Sequence, residues 1–226
     1  MSAPSPISTD PREQMIEHQV RAWEVLDARV LSILRDVRRE QFVPPAQSYL
    51  AFADVNVPLE CDQHMLRPNV VGRLLQALEL KGPERVLEIG AGSGFVTACL
   101  AAAASHVKSL EIFPRLAGLA RHNLGEAGVR NADIVTADAM QDSGLAAAGE
   151  GRYHAIAVTG SLPVYDERFQ RLLEIGGRLF VVVGDAPVME ARLVRRVSED
   201  GWVTESLFET VVDPLVNARR PPGFAF

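Results

Sequence analysis

Apolar residues in the first 80 positions recur at intervals of three and four, which is the spacing of one helix face. Asp10 and Pro11 supply an N-cap and a first-turn proline, so the first helix is expected to begin there. Asp27 caps a second helix, and Pro68 opens a third. The apolar positions of the three helices are Met15, Ile16, Val20 and Trp23; Val30, Leu31, Leu34 and Val37; and Val70, Val71, Leu74, Leu75 and Leu78. The pattern therefore predicts an N-terminal helical extension.

From residue 84 the pattern changes to short apolar runs separated by helical segments. Helices are predicted over 95–104, from Pro114 to about Gly128, and around Phe169–Leu173. The last two runs flank a hairpin turn signal, Glu-Asp-Gly at 199–201. The predicted strands are 85–89, 106–112, 132–136, 153–158, 178–183, 192–197 and 202–212. This alternation favours an α/β fold with a doubly wound, mostly parallel seven-stranded sheet that ends in an antiparallel C-terminal hairpin.

The length and composition fit a single globular domain between two tails. The chain has 226 residues, of which 47% are hydrophobic and 23% are charged. We expect a flexible tail over 1–9, one domain over 10–217 and a C-terminal tail over 218–226. Within the domain, 10–80 would form the N-terminal helices and a long loop, and 84–217 the α/β core.

The charge and cysteine content exclude several classes of protein. The net charge is −6 and no basic block stands out, so no nucleic-acid partner is expected. Two cysteines are too few for a secreted disulfide framework. The N-terminus lacks a basic start followed by an apolar core, and no apolar run is long enough to span a bilayer. We therefore expect a cytoplasmic protein without a membrane partner, while the oligomeric state stays open.

A glycine-rich turn follows the first strand of the core. Its sequence is Glu-Ile-Gly-Ala-Gly-Ser-Gly over 88–94, and such glycines allow a sharp turn and close approach of a ligand to helix N–H groups. The dinucleotide pattern G-x-G-x-x-G requires a small residue where this chain has Phe95. The turn instead resembles the first motif of class I S-adenosylmethionine-dependent methyltransferases, with a plain structural turn as the alternative.

Acidic residues end or follow the next two strands. Glu111 is placed to accept hydrogen bonds from ribose hydroxyls, and Asp138 to accept one from an adenine amine. The alternatives are a solvated strand-end charge for Glu111 and a turn-forming role for Asp138. The expected cofactor-binding residues are Glu88, Gly90, Ala91, Gly92, Gly94, Glu111, Ile112, Asp138 and Ala139.

The end of the fourth core strand and the histidines carry no metal signature. Thr159 stands where magnesium-dependent catechol-type enzymes place an aspartate ligand. The Asn/Asp-Pro-Pro-aromatic signature of amino-group methylation is absent, and the five histidines lack zinc spacing. We expect no metal. Only His64 is a functional candidate among the histidines, because the segment 46–67 has no sustained period and long ordered loops tend to be functional.

Over roughly residues 12–217 the chain resembles the protein-L-isoaspartate O-methyltransferase family. The matching segments are 30–44, 58–71, 86–94, 156–163, 172–184 and 214–216. The resemblance implies a Rossmann-like methyltransferase fold and S-adenosyl-L-methionine as cofactor, with S-adenosyl-L-homocysteine as product. It also implies methyl transfer to a carboxylate, that of L-isoaspartyl residues in damaged proteins or peptides.

The chain departs from the family pattern in the acceptor loop. Leu66 occupies the position of the serine thought to assist at the substrate carboxylate, and Glu60 and Asp62 replace glycines. The added carboxylates should repel an anionic acceptor unless His64, Arg67 or Arg73 compensates. The substrate-loop candidates are Gln63, His64, Leu66 and Thr159.

No catalytic residue is assigned from the sequence. A carboxylate acceptor with a reference pKa of about 4 is already ionised at neutral pH, so the reaction needs no general base. Two alternatives stay open because of Leu66: a methyltransferase that acts on a different small-molecule or peptide acceptor, and a non-catalytic regulatory protein that binds S-adenosylmethionine.

Overall fold

The computed structural model describes residues 9–149 and 151–220. The greater part of the two expected tails, residues 1–8 and 221–226, lies outside the described residues. Among the described helices, none has the length and apolarity that crossing a bilayer requires.

Seven of the nine described strands form one sheet. Its order is β5-β4-β3-β6-β7-β8-β9, and the five strands from β5 to β7 are parallel while β8 and β9 run antiparallel. The strands are β1 Val57–Pro58, β2 His64–Met65, β3 Arg85–Ile89, β4 His106–Glu111, β5 Ala132–Thr136, β6 Tyr153–Leu162, β7 Leu173–Asp185, β8 Val188–Arg196 and β9 Trp202–Glu209. The predicted mostly parallel sheet with an antiparallel C-terminal hairpin is confirmed.

The helices begin where the capping residues predict. The Asp10 and Asp27 side chains accept hydrogen bonds from the N–H groups two residues on, and Pro68 and Pro114 each occupy the first turn of a helix. The first helical segment continues as a π-helical turn, Ile16–Val20, and a 3₁₀ turn, Arg21–Trp23. The α-helices are α1 Pro11–Met15, α2 Ala28–Asp36, α3 Pro68–Leu78, α4 Phe95–Ala101, α5 Pro114–Glu126 and α6 Asp142–Leu145.

The central strands of the sheet are buried on both faces, with alternate residues entering two separate cores. In β3, Val86 packs in the core formed with α3, α4 and α5, whereas Leu87 and Ile89 pack in the opposite core. All three side chains are at most 2% exposed. Strands that are covered on both faces have near-continuous apolar runs, which is the pattern seen in the sequence.

The helix predicted around Phe169–Leu173 is wrong. Only one 3₁₀ turn, Gln170–Leu172, is present, because β7 already begins at Leu173, which pairs with Tyr153 of β6. The register shifts between that pair and the next, and Gly176 adopts a positive φ of 84° within this irregular part of β7. The irregularity extends the strand five residues before the predicted start.

The segment 46–67 contains a small hairpin that the sequence pattern does not reveal. Strands β1 and β2 pair through two residue pairs, and a turn closes them with Gln63 N–H donating to the Glu60 carbonyl. Cys61 and Asp62 occupy the centre of this turn with φ values of 60° and 55°. Two consecutive left-handed residues define a type I′ turn, which strongly favours Asn-Gly. The hairpin presents its second strand to the carboxyl edge of the main sheet.

Replacing the strained turn by its preferred residues should stabilise the protein. We expect the double variant Cys61→Asn, Asp62→Gly to raise the free energy of unfolding in urea by about 1 kcal/mol, because both positions then tolerate a positive φ. Asp142→Gly, at the first residue of α6, is the control and should lower it. An unchanged or lowered stability of the double variant would contradict the strain argument.

Candidate functional site

A cleft lies at the carboxyl ends of the parallel strands. Strand β3 pairs with β4 on one side and β6 on the other, so the strand order reverses beside it, which is where α/β sheets bind ligands. The cleft contains about 930 Å³ of space outside the protein atoms, part of it open to solvent. Its walls are the glycine turn, the ends of β4 and β5, the hairpin strand β2 and the segment Val212–Val216.

The glycine turn forms one wall of the cleft, and its backbone reaches the cleft surface at the glycine positions. Gly90, Gly92 and Gly94 all have positive φ, with values of 97°, 53° and 86°. A Cβ atom on Gly90 would lie 2.5 Å from the Thr159 hydroxyl oxygen. That hydroxyl shares its hydrogen bond between the carbonyl oxygens of Gly90, at 2.7 Å, and Ile89, at 2.9 Å. Thr159 therefore fastens β6 to the turn as well as lining the cleft.

The Glu111 carboxylate is 4% exposed and shapes the wall next to the turn. One of its oxygens accepts from the Gly92 N–H at 2.9 Å and the other from the Phe113 N–H at 3.0 Å. A carboxylate offers about four acceptor positions, so about two stay available to a ligand. The residue is thus an oriented acceptor within the cleft lining and not a solvated strand-end charge.

Asp138 combines the two roles that its position allows. One carboxylate oxygen accepts from the Met140 N–H at 2.9 Å, which makes the turn after β5, and the other accepts from the Asn217 amide at 2.8 Å. The residue also lines the cleft, together with Ala139 and the predicted residues Ala91 and Ile112.

Two of the predicted cofactor residues, Glu88 and Gly94, are absent from the cleft lining. Gly94 is the N-cap of α4, and a Cβ there would come within 3.2 Å of the Ala120 backbone in α5, so it serves helix packing. Glu88 is completely buried, and one of its oxygens accepts from the Thr97 hydroxyl at 2.5 Å. Its other oxygen has no partner among the described residues. Burial raises the pKa of Glu88 to about 7, although the neighbouring hydroxyls oppose the shift.

The substrate-loop candidates meet at the opposite wall. Gln63, His64, Leu66 and Thr159 all line the cleft. The His64 Nδ1 atom lies 2.9 Å from a carboxylate oxygen of Asp213, and no other described residue bonds to the imidazole. This wall therefore presents one imidazole nitrogen, Nε2, that has no partner among the described residues.

The two carboxylates of the loop, Glu60 and Asp62, do not lie in the cleft as the sequence led us to expect. Glu60 pairs with Arg115 at 3.3 Å, and neither Glu60 nor Asp62 lines the cleft. Arg67 donates to the Thr210 hydroxyl, and Arg73 donates to backbone carbonyls and to Glu24, so neither arginine pairs with Glu60 or Asp62. Both guanidinium groups lie over aromatic rings instead, because the N-terminal helices and β9 pack around them.

Two polar side chains of the cleft, Asp213 and Asn56, were not among the predicted site residues. Asp213 becomes a partner of His64 because the segment after β9 returns to the sheet, where its carbonyl accepts from the Ser161 N–H at 2.8 Å. Asn56 contributes a buried side-chain oxygen without a partner among the described residues. The signals in the sequence were the family resemblance of 214–216 for the first and the long polar loop 46–67 for the second, and neither singled out the side chain.

No metal site accompanies the cleft in the described part of the chain. Within 9–149 and 151–220, no group of three or more His, Cys, Asp or Glu side chains is arranged to hold a metal ion.

Comparison with known proteins decides the family. The model of the family described as Protein-L-isoaspartate(D-aspartate) O-methyltransferase (PCMT) matches residues 10–220. The chain belongs to this family. A protein-L-isoaspartate O-methyltransferase of Rhodopseudomonas palustris is 37% identical over 205 residues, which cover 90% of this chain and 92% of that protein. One from Methanoculleus marisnigri is 37% identical over 192 residues, with 85% and 84% covered.

Solved structures of the PCMT family share the fold. A Plasmodium falciparum protein assigned to PCMT and crystallised with S-adenosyl-L-homocysteine has a TM-score of 0.76 and 18% identity, with 92% of this chain and 99% of that chain covered. Another solved protein-L-isoaspartate O-methyltransferase has a TM-score of 0.73 and 21% identity, with 90% and 65% covered. The Rossmann-like methyltransferase fold is thereby confirmed.

The buried Glu88 should make stability depend on pH in this PCMT-family protein. A folded-state pKa of about 7, above the ordinary 4.5, keeps the folded carboxyl protonated while the unfolded one ionises. The free energy of unfolding should therefore fall between about pH 4.5 and 7. Glu88→Gln lacks this titration, so it should gain up to about 3 kcal/mol relative to the unsubstituted protein between pH 5 and pH 8.

Urea unfolding at both pH values measures the effect, with the exposed Glu126→Gln as control. If Glu88→Gln differs from the unsubstituted protein by the same free energy of unfolding at pH 5 and at pH 8, the raised pKa of Glu88 would be contradicted.

Proposed function

We propose that the protein is an S-adenosylmethionine-dependent O-methyltransferase that esterifies the carboxylate of L-isoaspartyl residues in damaged proteins and peptides. Membership of the PCMT family supports the reaction. The observation that carries the proposal is one cleft in which the glycine turn and Glu111 form one wall and the hairpin strand β2 forms the other. The proposed donor and acceptor sites are thus adjacent in one cleft.

The donor wall fits S-adenosylmethionine. Gly90 and Gly92 leave their backbone open to a ligand because they have no side chains, and Glu111 keeps acceptor positions for ribose hydroxyls. Asp138 and Ala139 also line the cleft, and we assign them to the adenine ring. Three carboxylates, Glu111, Asp138 and Asp213, line the cleft and favour a cationic ligand. When bound, S-adenosylmethionine supplies an electrophilic methyl group on a sulfonium centre.

The acceptor wall uses His64 in place of the missing hydroxyl. Leu66 has no hydrogen-bond donor, whereas an imidazole with both nitrogens protonated has two. The Asp213 carboxylate lies 2.9 Å from Nδ1 and orients the ring, so that Nε2 of the doubly protonated imidazole would donate to an acceptor carboxylate. This hydrogen bond holds the carboxylate most strongly while it is charged, and it weakens as the ester forms. His64 should therefore act mainly on substrate affinity.

The remaining contribution of the protein is alignment and exclusion of water. A carboxylate acceptor is already ionised, so no side chain has to remove a proton. Buried apolar residues in the cleft, including Met65, Leu66 and Phe95, exclude solvent from the space between the two walls. Thr159 and the turn beneath it keep the donor side rigid.

A second candidate function is methylation of a different acceptor in the same cleft. Leu66 and the partly acidic lining are the observations that favour it, since both reduce affinity for a free carboxylate. A small-molecule or peptide acceptor with less negative charge would fit this wall equally well.

Methyl transfer to a defined peptide pair tests the proposal. A peptide with one L-isoaspartyl residue should take up label from S-adenosylmethionine labelled in its methyl group, whereas the same peptide with ordinary aspartate should not. His64→Asn should raise KM for the isoaspartyl peptide about 10-fold or more with kcat changed by less than about threefold, as expected for a lost hydrogen bond to a charged group.

The matched control is His106→Asn, because His106 also pairs with an aspartate, Asp133, at 3.2 Å but is absent from the cleft lining. It should leave both constants unchanged. Equal labelling of the two peptides, or none of either, would refute isoaspartyl methylation, and an unchanged KM in His64→Asn would refute the role of His64.

A further inference from the structure

Arg39 is a fully buried arginine beside the cleft that the proposed reaction does not use. It begins the 3₁₀ turn Arg39–Gln41, its side chain is 1% exposed, and it is absent from the cleft lining. Burial lowers the pKa of Arg39 to about 10, so it is still charged at neutral pH. A buried charge is costly unless its hydrogen bonds are well placed, so the partners of this guanidinium must offset the cost of its burial.

The guanidinium contacts both walls of the cleft. Its Nη2 donates to the Leu66 carbonyl at 2.9 Å, and Leu66 lines the acceptor wall just after β2. Its central carbon lies 4.9 Å from the centre of the Phe95 ring, which opens α4 directly after the glycine turn. Nε donates to the Ala51 carbonyl at 3.0 Å, and Nη1 has no partner among the described residues.

The hairpin needs such an anchor because it is very small. Strands β1 and β2 share only two residue pairs, and an isolated two-stranded hairpin is marginal in water. Its turn also contains two strained residues, Cys61 and Asp62. The position of Leu66 relative to the donor wall therefore depends on contacts from outside the hairpin. Arg39 supplies one of them, because its planar guanidinium donates to the carbonyls of both Ala51 and Leu66.

We propose that Arg39 is a positioning residue for methyl transfer, which holds the acceptor wall at Leu66 in register with the donor wall at Phe95. This inference rests on the proposed function. Arg39 acts through Leu66 and Phe95, so its loss should leave the cofactor pocket intact while acceptor and methyl group fall out of line. In-line displacement is sensitive to misplacement, and about 1 Å can cost roughly 100-fold in rate.

Arg39→Lys tests the anchor, with Arg196→Lys as a matched control. Arg196 is 6% exposed, donates to the carbonyls of Leu173, Ser198 and Glu199, and lies over the Trp202 ring, but it is absent from the cleft lining. A lysine keeps the charge at either site and cannot serve several carbonyls in a plane. Both variants should therefore lose stability for the same reason.

Only Arg39→Lys should lose turnover. We expect its kcat with the isoaspartyl peptide to fall roughly 10- to 100-fold, while its Kd for S-adenosyl-L-homocysteine stays within about threefold. Arg196→Lys should keep both values. An equal loss of kcat in the two variants, or a matching loss of S-adenosyl-L-homocysteine binding in Arg39→Lys, would overturn the proposal, since either result marks a merely structural role. Should the lysine variant fail to fold, Arg39→Gln, which keeps a donor without the charge, is judged by the same criteria.

Amide hydrogen exchange gives a readout that needs no acceptor. Amides of residues 64–67 should exchange faster in Arg39→Lys than in the unsubstituted protein. In Arg196→Lys they should exchange at the same rate as in the unsubstituted protein. Unchanged protection of these amides in Arg39→Lys would overturn the anchor. If the unsubstituted protein does not methylate the isoaspartyl peptide, the proposed function fails, whereas the exchange result still decides whether Arg39 holds the loop.

Discussion

The turn between β3 and α4 requires glycine at positions 90, 92 and 94, and the rest of the cleft is arranged around that constraint. A Cβ on Gly90 would meet the Thr159 hydroxyl at 2.5 Å, and that hydroxyl is itself bound to the turn. The Gly92 N–H is directed to Glu111, which orients the carboxylate beside the bared backbone. Three parallel strands thus end on a surface of backbone amides and fixed acceptors, which is suited to an adenosyl group.

The two walls of the cleft differ in how closely they match the residues expected from the sequence. The wall with the glycine turn contains most of the cofactor residues expected from the sequence, whereas the wall with β2 contains Leu66 and pairs His64 with Asp213. Glu60 pairs with Arg115 at the surface, and neither Glu60 nor Asp62 lines the cleft. The buried Arg39 links the two walls, so the rebuilt acceptor side is still tied to the donor side.

Most of the fold follows from local pattern, because strands covered on both faces and capped helices leave strong signals. The strands Arg85–Ile89 and Ala132–Thr136 were predicted with their observed bounds. The start of β7 at Leu173 and the small hairpin were not predicted. Both depend on strand pairing and, for β7, on a bulge, and these leave no periodic pattern of apolar residues in the sequence. The same holds for the site: the glycines and Glu111 lie in a motif, whereas the His64–Asp213 pair joins residues 149 positions apart through chain topology. Glu88 looked like a ligand residue by spacing, but its side chain is buried away from the cleft.

A crystal structure of the protein grown with S-adenosyl-L-homocysteine would show directly whether the cleft at the glycine turn binds the cofactor. We predict that the adenosyl group lies along Gly90–Gly92, that the ribose hydroxyls bond to Glu111, and that the thioether sulfur faces the wall formed by His64 and Leu66. Binding elsewhere, or a cleft that takes up a nicotinamide dinucleotide in place of the thioether, would contradict it.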